Sequence, residues 1–335
     1  MTDIEHVDYP LVSIGLPVFN GEESLDQTLD ALLNQDYTNL EIIISDNGST
    51  DRTSEICEEF LKKNPRVRYY RSSENLGSNW NFNRVADLSS GKYFMWAAEG
   101  DLHDLSFVRA CVEKLEQSPE AVLCHVHTAF FIENRKERLC ISNLDSFTGV
   151  TGLVERYRET LKNFPAVAIY GVYRSAAMKK THMMEQSVAT DLAFIAELSI
   201  YGSFVQVPEL LFSYIGREKW NTVHDDYKDF SGKGRKPWWY LPFVVLFCDQ
   251  WSRVTRAELT FGLKLRLWTL LIDHEVRQII LKVLIKVCRR ICPAAMKERL
   301  ASAIYTRWMQ GPNLEIDCED LFLERIIKPR IGWWR

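Results

Sequence analysis

Apolar runs of strand length alternate with stretches of helical periodicity along the first 126 residues. Leu11–Val18 (LVSIGLPV) is a short apolar run with several β-branched residues, and it is followed by the turn pair Asn20-Gly21. Glu22–Gln35 then places Leu25, Leu29, Leu32 and Leu33 at helical spacing, with acidic residues in the first turn. Glu41–Ser45 (EIIIS) has the profile of a strand buried on both faces, and Asp51–Lys63 that of a helix capped by Thr50 or Asp51. Val67–Tyr70, Lys92–Ala98 and Ala121–Val126 predict further strands, and Ser78–Leu88 and Leu105–Glu116 further helices. This alternation predicts an α/β fold with a mostly parallel central sheet flanked by helices.

Beyond Thr148 the pattern loosens. A helix is predicted over Ala189–Tyr201, a strand over Ser203–Val207 and a turn at Pro208-Glu209. Residues 216–237 are polar, contain Gly232-Lys233-Gly234-Arg235-Lys236-Pro237, and are expected to form a mobile loop. From Trp238 onward helices dominate, roughly over 238–256, 258–291 and 294–309. The expected layout is a domain over 1–215, with halves at about 10–125 and 126–215, a linker at 216–237 and a helical extension over 238–335.

Composition is that of an ordinary globular chain: 335 residues, 46% hydrophobic, 26% charged, formal net charge −4. Such mild acidity gives no basic footprint for nucleic acid. The distribution is more informative. Residues 1–150 carry 25 acidic and 13 basic side chains, whereas residues 256–310 carry 4 acidic and 11 basic ones. Eight of the ten tryptophans lie at or after Trp220. Eight cysteines without a Cys-x-x-Cys pair predict buried reduced thiols rather than zinc ligands. The acidic, core-less first residues do not read as a signal peptide, and no apolar run reaches membrane-spanning length. The expected location is cytoplasmic, peripheral on the inner face of the membrane if the basic extension docks there.

In α/β sheets ligands gather at the carboxyl ends of the strands. Those ends here are Pro17-Val18-Phe19-Asn20, Asp46-Asn47-Gly48-Ser49-Thr50-Asp51, the segment Arg71–Gly77, and Glu99-Gly100-Asp101. The first turn has one glycine followed by Glu22 and Glu23, which does not suit a dinucleotide pyrophosphate, and no Walker-type Gly-Lys-Ser/Thr occurs. Glu99 and Asp101, spaced i, i+2 behind a buried strand, could meet Mg²⁺ or Mn²⁺, which take oxygen ligands alongside phosphate. Asp46 is open to two uses: accepting a hydrogen bond from a nucleobase imide, or closing an Asx-turn at the strand's end.

The string Val12-Ser13-Ile14-Gly15-Leu16-Pro17-Val18-Phe19-Asn20-Gly21-Glu22, followed by Ile43-Ile44-Ser45-Asp46-Asn47-Gly48-Ser49-Thr50-Asp51, resembles the nucleotide-sugar half of a family 2 glycosyltransferase. Asn75–Asn83 and Gly91–Ala98 continue the likeness, which covers roughly residues 10–215. The resemblance implies a GT-A fold and inverting transfer of a sugar from a nucleotide-diphosphate donor, here a UDP-sugar, to a glycan or lipid-linked acceptor, with Mn²⁺ or Mg²⁺. It implies a donor-contacting loop at Pro17, Phe19, Asn20 and Glu22, and a base-reading carboxylate at Asp46 with Asn47 and Ser49 beside it. It further implies a third donor loop at Asn75, Gly77 and Asn79, and the metal-binding region at Glu99 and Asp101. Many relatives carry Asp at position 99 or 100 where this chain has Glu99 and Gly100, which makes Asp101 the better metal ligand. Asp191, at the start of an apolar helix, falls where the family has its catalytic base; on its residues alone it reads as a helix cap. The contrasting expectation is a metal-incompetent relative that serves as a binding or assembly partner in polysaccharide synthesis.

Leu263–Cys292 reads as one long amphipathic helix with Lys264, Arg266, Arg277, Lys282, Lys286, Arg289 and Arg290. Two uses fit it: contact with an anionic membrane surface, with Trp238, Trp239, Trp251, Trp268 and Trp333-Trp334 as aromatic anchors, or packing on the catalytic domain or in a homo-oligomer.

Overall fold

The structure, a computed structural model, describes residues 9–132, 138–142, 149–162, 166–187, 189–216, 223–232, 236–238 and 240–291. The chain opens with β1 (Val12–Val18), α1 (Leu25–Leu33), β2 (Leu40–Asp46), α2 (Thr53–Lys63), β3 (Val67–Arg71), α3 (Ser78–Asp87) and β4 (Tyr93–Trp96). It continues through β5 (Leu102–His103), α4 (Phe107–Glu116), β6 (Ala121–Ile132), β7 (Arg138–Ser142) and α5 (Leu153–Lys162). A 3-10 turn at Ala166–Tyr170 leads into β8 (Val172–Arg174), α6 (Ser175–Met178), α7 (Thr190–Tyr201) and β9 (Ser203–Gly216). Three helices follow: α8 (Val223–Ser231), α9 (Pro242–Arg256) and α10 (Phe261–Ile291).

The strands form one sheet in the order β3-β2-β1-β4-β8-β6-β9-β5, with β7 paired to β6. Strands β3, β2, β1 and β4 are mutually parallel, as the strand–helix alternation predicts. Beyond β4 the sheet is mixed: β8 runs antiparallel to both neighbours, and β6 and β9 are parallel to each other. The predicted turn at Pro208-Glu209 does not form. β9 runs through it, and the register steps from Val126 opposite Val207 to His127 opposite Leu210, so the two residues make a bulge. Proline has no N–H for the ladder, and a bulge is one place a strand accommodates it.

Apolar residues from both faces of the central strands explain the burial of the core. Ile14, Leu16, Ile42, Ile44 and Met95 pack with α1 and α4 through Leu25, Leu29, Val108 and Leu115. On the other face Trp96 is fully buried, edge-on to Phe94, Tyr173 and Phe194. Its indole N–H donates to the Phe82 carbonyl at 3.0 Å, which lets so large a ring be buried without stranding a donor.

α7 is buried on nearly every side, because the sheet, α5 and α9 all pack on it. Val154 and Tyr157 of α5, Ala196 and Ile200 of α7, Val254 of α9, and Leu267 and Leu271 of α10 form one apolar cluster. A cut at residue 215 would therefore expose α7, and α9 and α10 complete the fold rather than follow it. The expected loop at 216–237 contains α8, whose Tyr227 and Phe230 close on Tyr240. Among the described cysteines Cys57, Cys111 and Cys124 are buried as expected, but Cys248 is exposed on α9. The expected helix over 294–309 and Trp239, Trp333 and Trp334 lie outside the described residues.

Candidate functional site

The carboxyl ends of β1 and β2 are zipped into one rim. Asn20, at a φ of +54°, donates its N–H to Ser49 Oγ (2.9 Å), and its side-chain oxygen accepts from Thr50 N (2.9 Å). Gly21 N donates to Thr53 Oγ1 (2.8 Å), Glu22 N to Asp51 Oδ2 (3.1 Å), and Arg52 N to Glu22 Oε2 (3.0 Å). Pro17 sits inside β1 opposite Ser45, while Phe19 stands exposed on the rim. Asn20, Glu22 and Ser49, expected as donor contacts, thus also build the rim itself.

Asp46 makes the Asx-turn. Its Oδ1 accepts from Ser49 N (2.8 Å), while Oδ2 accepts from the Tyr69 hydroxyl (2.9 Å) and faces the Arg71 guanidinium at 3.4 Å. The side chain is fully buried and charge-compensated. The asparagines brace rather than project. Asn47 Nδ2 donates to Asn75 Oδ1 and to the Gly77 carbonyl, both at 3.0 Å, and Asn47 Oδ1 accepts from Leu76 N. Along α3, Asn79 donates to the Glu185 carbonyl (2.6 Å), Asn81 to the Ser45 carbonyl (2.8 Å), and Asn83 bonds both ways with the Met184 backbone. Asn79 therefore ties down the segment before α7, a role the motif did not suggest.

Gly77 is covered. At φ +91°, a Cβ there would lie 2.3 Å from the Phe230 carbonyl oxygen and 2.6 Å from Gly232 N. Gly232, at φ +66°, would reciprocally strike Asn75 O and Gly77 N at 2.8 Å. Two backbones cross here at a distance only glycine permits. The end of α8 thereby lies directly on the third loop.

The Glu99-Gly100-Asp101 turn follows β4. Glu99 accepts a hydrogen bond from the Ser24 hydroxyl, and Gly100, at φ +90°, donates to Thr28 Oγ1 (3.0 Å). Asp101 is 3% exposed; its Oδ1 accepts from Ile215 N of β9 (2.9 Å), but its Oδ2 has no hydrogen-bond partner. Burial pushes this carboxyl up to about 8, opposed by the Ile215 N–H and reinforced by the Glu99 charge. Two residues on, His103 is boxed between Phe107 and Phe212, with ring centroids at 4.9 and 4.8 Å, and burial holds it neutral, down to about 3.

A buried carboxylate with one lone oxygen suits a hard divalent cation. Among the described residues no cluster of three or more acidic, His or Cys groups exists. Mg²⁺ and Mn²⁺ need none when substrate phosphates and water complete the shell. The residues present therefore fit the ion through Asp101, while Glu99 leans toward Ser24.

Asp191 lies in the first turn of α7, behind Ala189 in the left-handed region at φ +59°. Its charge reaches Tyr170 and Tyr173, and the charge of Asp101 reaches Tyr170 as well. Burial first, then these carboxylates, raise the Tyr170 hydroxyl well above its ordinary range. Two carboxylates ninety positions apart in sequence are thus both felt electrostatically by the partly buried Tyr170.

A buried ionic network ties α7 and the residues just before it to α9. Arg253 of α9, 1% exposed, donates to Glu197 Oε2 (2.6 Å), Asp249 Oδ1 (2.7 Å) and the Met183 carbonyl (2.8 Å). Glu197 also meets His182 Nδ1 at 2.5 Å, and Ser187 Oγ donates to Asp249 Oδ2 (2.8 Å). The residues just before α7 are thereby bound to α9. Sequence reasoning passed over all of them, although Asp249 and Arg253, spaced i, i+4 amid apolar neighbours, carried a readable signal.

Residues 13–181 match the family model described as "Glycosyl transferase family 2". The chain belongs to that family. An uncharacterized glycosyltransferase of Haemophilus influenzae is 26% identical over 222 residues, which is 61% of this chain and 65% of that relative, so the chain spans a little under two thirds of its length. Among solved structures, S. aureus TarS residues 1–349 in complex with UDP-GlcNAc aligns with a TM-score of 0.57 at 14% identity, covering 90% of this chain and 81% of that one. The mannosyltransferase PcManGT of Pyrobaculum calidifontis, in complex with GDP-Man and Mn²⁺, aligns at 0.50 and 13% identity, covering 90% and 82%. These likenesses establish the GT-A type of fold, with the C-terminal helices added.

Proposed function

We propose that the protein is an inverting glycosyltransferase. It transfers a sugar from a nucleotide-diphosphate donor to a hydroxyl of a glycan or lipid-linked acceptor, with Mn²⁺ or Mg²⁺ beside the diphosphate. The observation that carries this reading is the buried Asp101 carboxyl, whose Oδ2 has no hydrogen-bond partner, in a chain of glycosyltransferase family 2. A UDP-sugar is the first donor to test, since the TarS structure holds UDP-GlcNAc; GDP-mannose, held by PcManGT, is the second.

The zipped rim of Phe19, Asn20, Glu22 and Ser49 receives the donor on a preformed surface; Asp46, buried with both oxygens engaged, shapes that surface from below and holds Arg71 beside it. Asp101 Oδ2 would hold the cation, with Glu99 as a second, weaker ligand. When bound, the cation supplies positive charge opposite the diphosphate as it leaves. Asp191 accepts the proton of the acceptor hydroxyl while that oxygen bonds to the anomeric carbon, from the face opposite the diphosphate. The bond from that carbon to the diphosphate oxygen breaks, and the electron pair departs with the nucleoside diphosphate. Tyr170 stays protonated and helps keep water from the reacting centre.

Asp191→Asn is expected to lower transfer by ~10²–10⁴-fold while donor affinity stays within about twofold. Turnover close to wild type in that variant removes Asp191 from the role, and retention of anomeric configuration in the product, read by NMR, refutes the inverting path. The metal-incompetent partner reading instead predicts no turnover of any nucleotide sugar with Mn²⁺. The unpartnered Asp101 oxygen favours the enzyme.

A further inference from the structure

We propose that α9 and α10 form a docking face for an anionic lipid surface, independent of the transfer reaction. Among the described residues, most of the large apolar side chains left exposed lie on or beside these two helices. Trp238 is 91% and Phe261 72% exposed, and Leu241, Val244, Leu265, Ile272, Val276 and Ile279 are about half exposed. A turn of 3.6 residues places Phe261, Leu265, Ile272, Val276 and Ile279 within an arc of about 60°. Leu267, Leu271 and Gln278, which face the core, lie roughly 130° around the same helix. α10 therefore has two apolar faces, and only one is used by the fold.

The second face is continuous with α9. Trp251 stacks on Trp268 at 4.9 Å and 12°, Phe247 sits 5.7 Å from Trp251, and Phe261 lies 6.4 Å from Trp268, so a chain of aromatic rings joins the exposed parts of the two helices. Charge selects the occupant. Residues 261–291 hold seven basic and two acidic side chains. By helical position Lys264 and Glu275 fall on one flank of the stripe and Arg266, Asp273 and Arg277 on the other, where Arg277 pairs with Asp273 at 2.8 Å. The surplus of positive charge therefore comes from the C-terminal end of the helix, with Lys282, Lys286, Arg289 and Arg290. A second copy of this basic face would repel it, whereas an anionic bilayer surface pairs with it and accepts the apolar stripe below its headgroups. No described helix is long and apolar enough to cross a membrane, so the contact lies in the interfacial plane.

The test is flotation of the full chain with vesicles of phosphatidylcholine alone, or with about a third phosphatidylglycerol, at 50 and 500 mM salt. Co-flotation with the anionic vesicles, reduced at least tenfold by high salt or by neutral lipid, is the expected result. The triple variant Leu265→Gln/Ile272→Gln/Ile279→Gln alters side chains the core does not use. It is expected to keep the wild-type urea midpoint while losing at least tenfold in vesicle binding. Absence of wild-type binding in every condition overturns the proposal, as does equal flotation of the triple variant. A dimer that forms without lipid and is abolished in the triple variant, with no flotation, assigns the face to self-association and also overturns it. The wild-type salt and lipid series decides even if the variant fails to fold.

Discussion

Replacing Asp101 with asparagine is expected to stabilise the metal-free protein while abolishing its chemistry. The wild-type carboxyl titrates at about 8 in the fold against an ordinary value of 3.8. Below 3.8 it is protonated in folded and unfolded chains alike and exerts no effect. As pH rises toward 8 the unfolded chain ionises while the folded chain must hold its proton, so stability falls throughout that window. At about 1.36 kcal/mol for each pH unit above 3.8, the deficit at pH 7 is on the order of 4 kcal/mol. Asparagine keeps an oxygen for the Ile215 N–H but leaves an amide donor without a partner, a cost of ~1–3 kcal/mol. The net expectation is a gain of about 1–3 kcal/mol at pH 7 that vanishes at about pH 4.5–6 and turns into a loss below it. Urea unfolding in EDTA across pH 5–8.5 measures it. A variant less stable than wild type at pH 8 without metal would refute the reasoning. Adding Mn²⁺ with UDP is expected to raise the wild-type midpoint and leave that of the variant unmoved.

Arg253→Met strands Glu197 and Asp249 in the interior and is expected to cost ~3–5 kcal/mol in denaturant unfolding. At temperatures where the variant stays folded, its kcat is expected to drop with donor KM little changed, because the Met183 carbonyl and Thr190 lose their bonds to α9. Gly232→Ala puts a Cβ against the backbone of Asn75 and Gly77 at a positive φ. A loss of at least ~1–2 kcal/mol is expected, with weaker donor binding in a fluorescence titration. Ser49→Ala removes the acceptor for Asn20 N–H; about 1 kcal/mol less stability and a raised donor KM are expected, and an unchanged KM would detach the rim from donor binding.

The parallel half of the sheet was legible because its signals are local. EIIIS, the Leu25/Leu29/Leu32 stripe and the aromatic β4 each declare their element within a few residues, and the structure places them within two or three positions of the expectation. What was not legible depends on partners far along the chain. β8 has three residues and becomes a strand only because β4 and β6 flank it. α8 sits in a polar stretch and is held by Tyr240 and by the Gly77–Gly232 crossing. In the candidate site, residue types marked the loops at the strand ends but not what each atom does there. Asp46 closes the turn that spacing alone allowed, and Asn47, Asn75 and Asn79 spend their amides on neighbouring loops. Asp101, expected as the better metal ligand, is buried with one oxygen unpartnered, while Glu99 is engaged by Ser24; neither position was distinguishable from the sequence in these terms.

The bond from Arg253 to the Met183 carbonyl and to Glu197 also orders events during synthesis. The described strands all precede α9 in the chain, so the sheet can assemble before the residues ahead of α7 gain their tie to Arg253. Catalytic competence would then arrive late and as one event, when α9 closes on α7. On the proposed function, a partly made chain could bind a sugar nucleotide but would have little means of discharging it to water before an acceptor can be engaged.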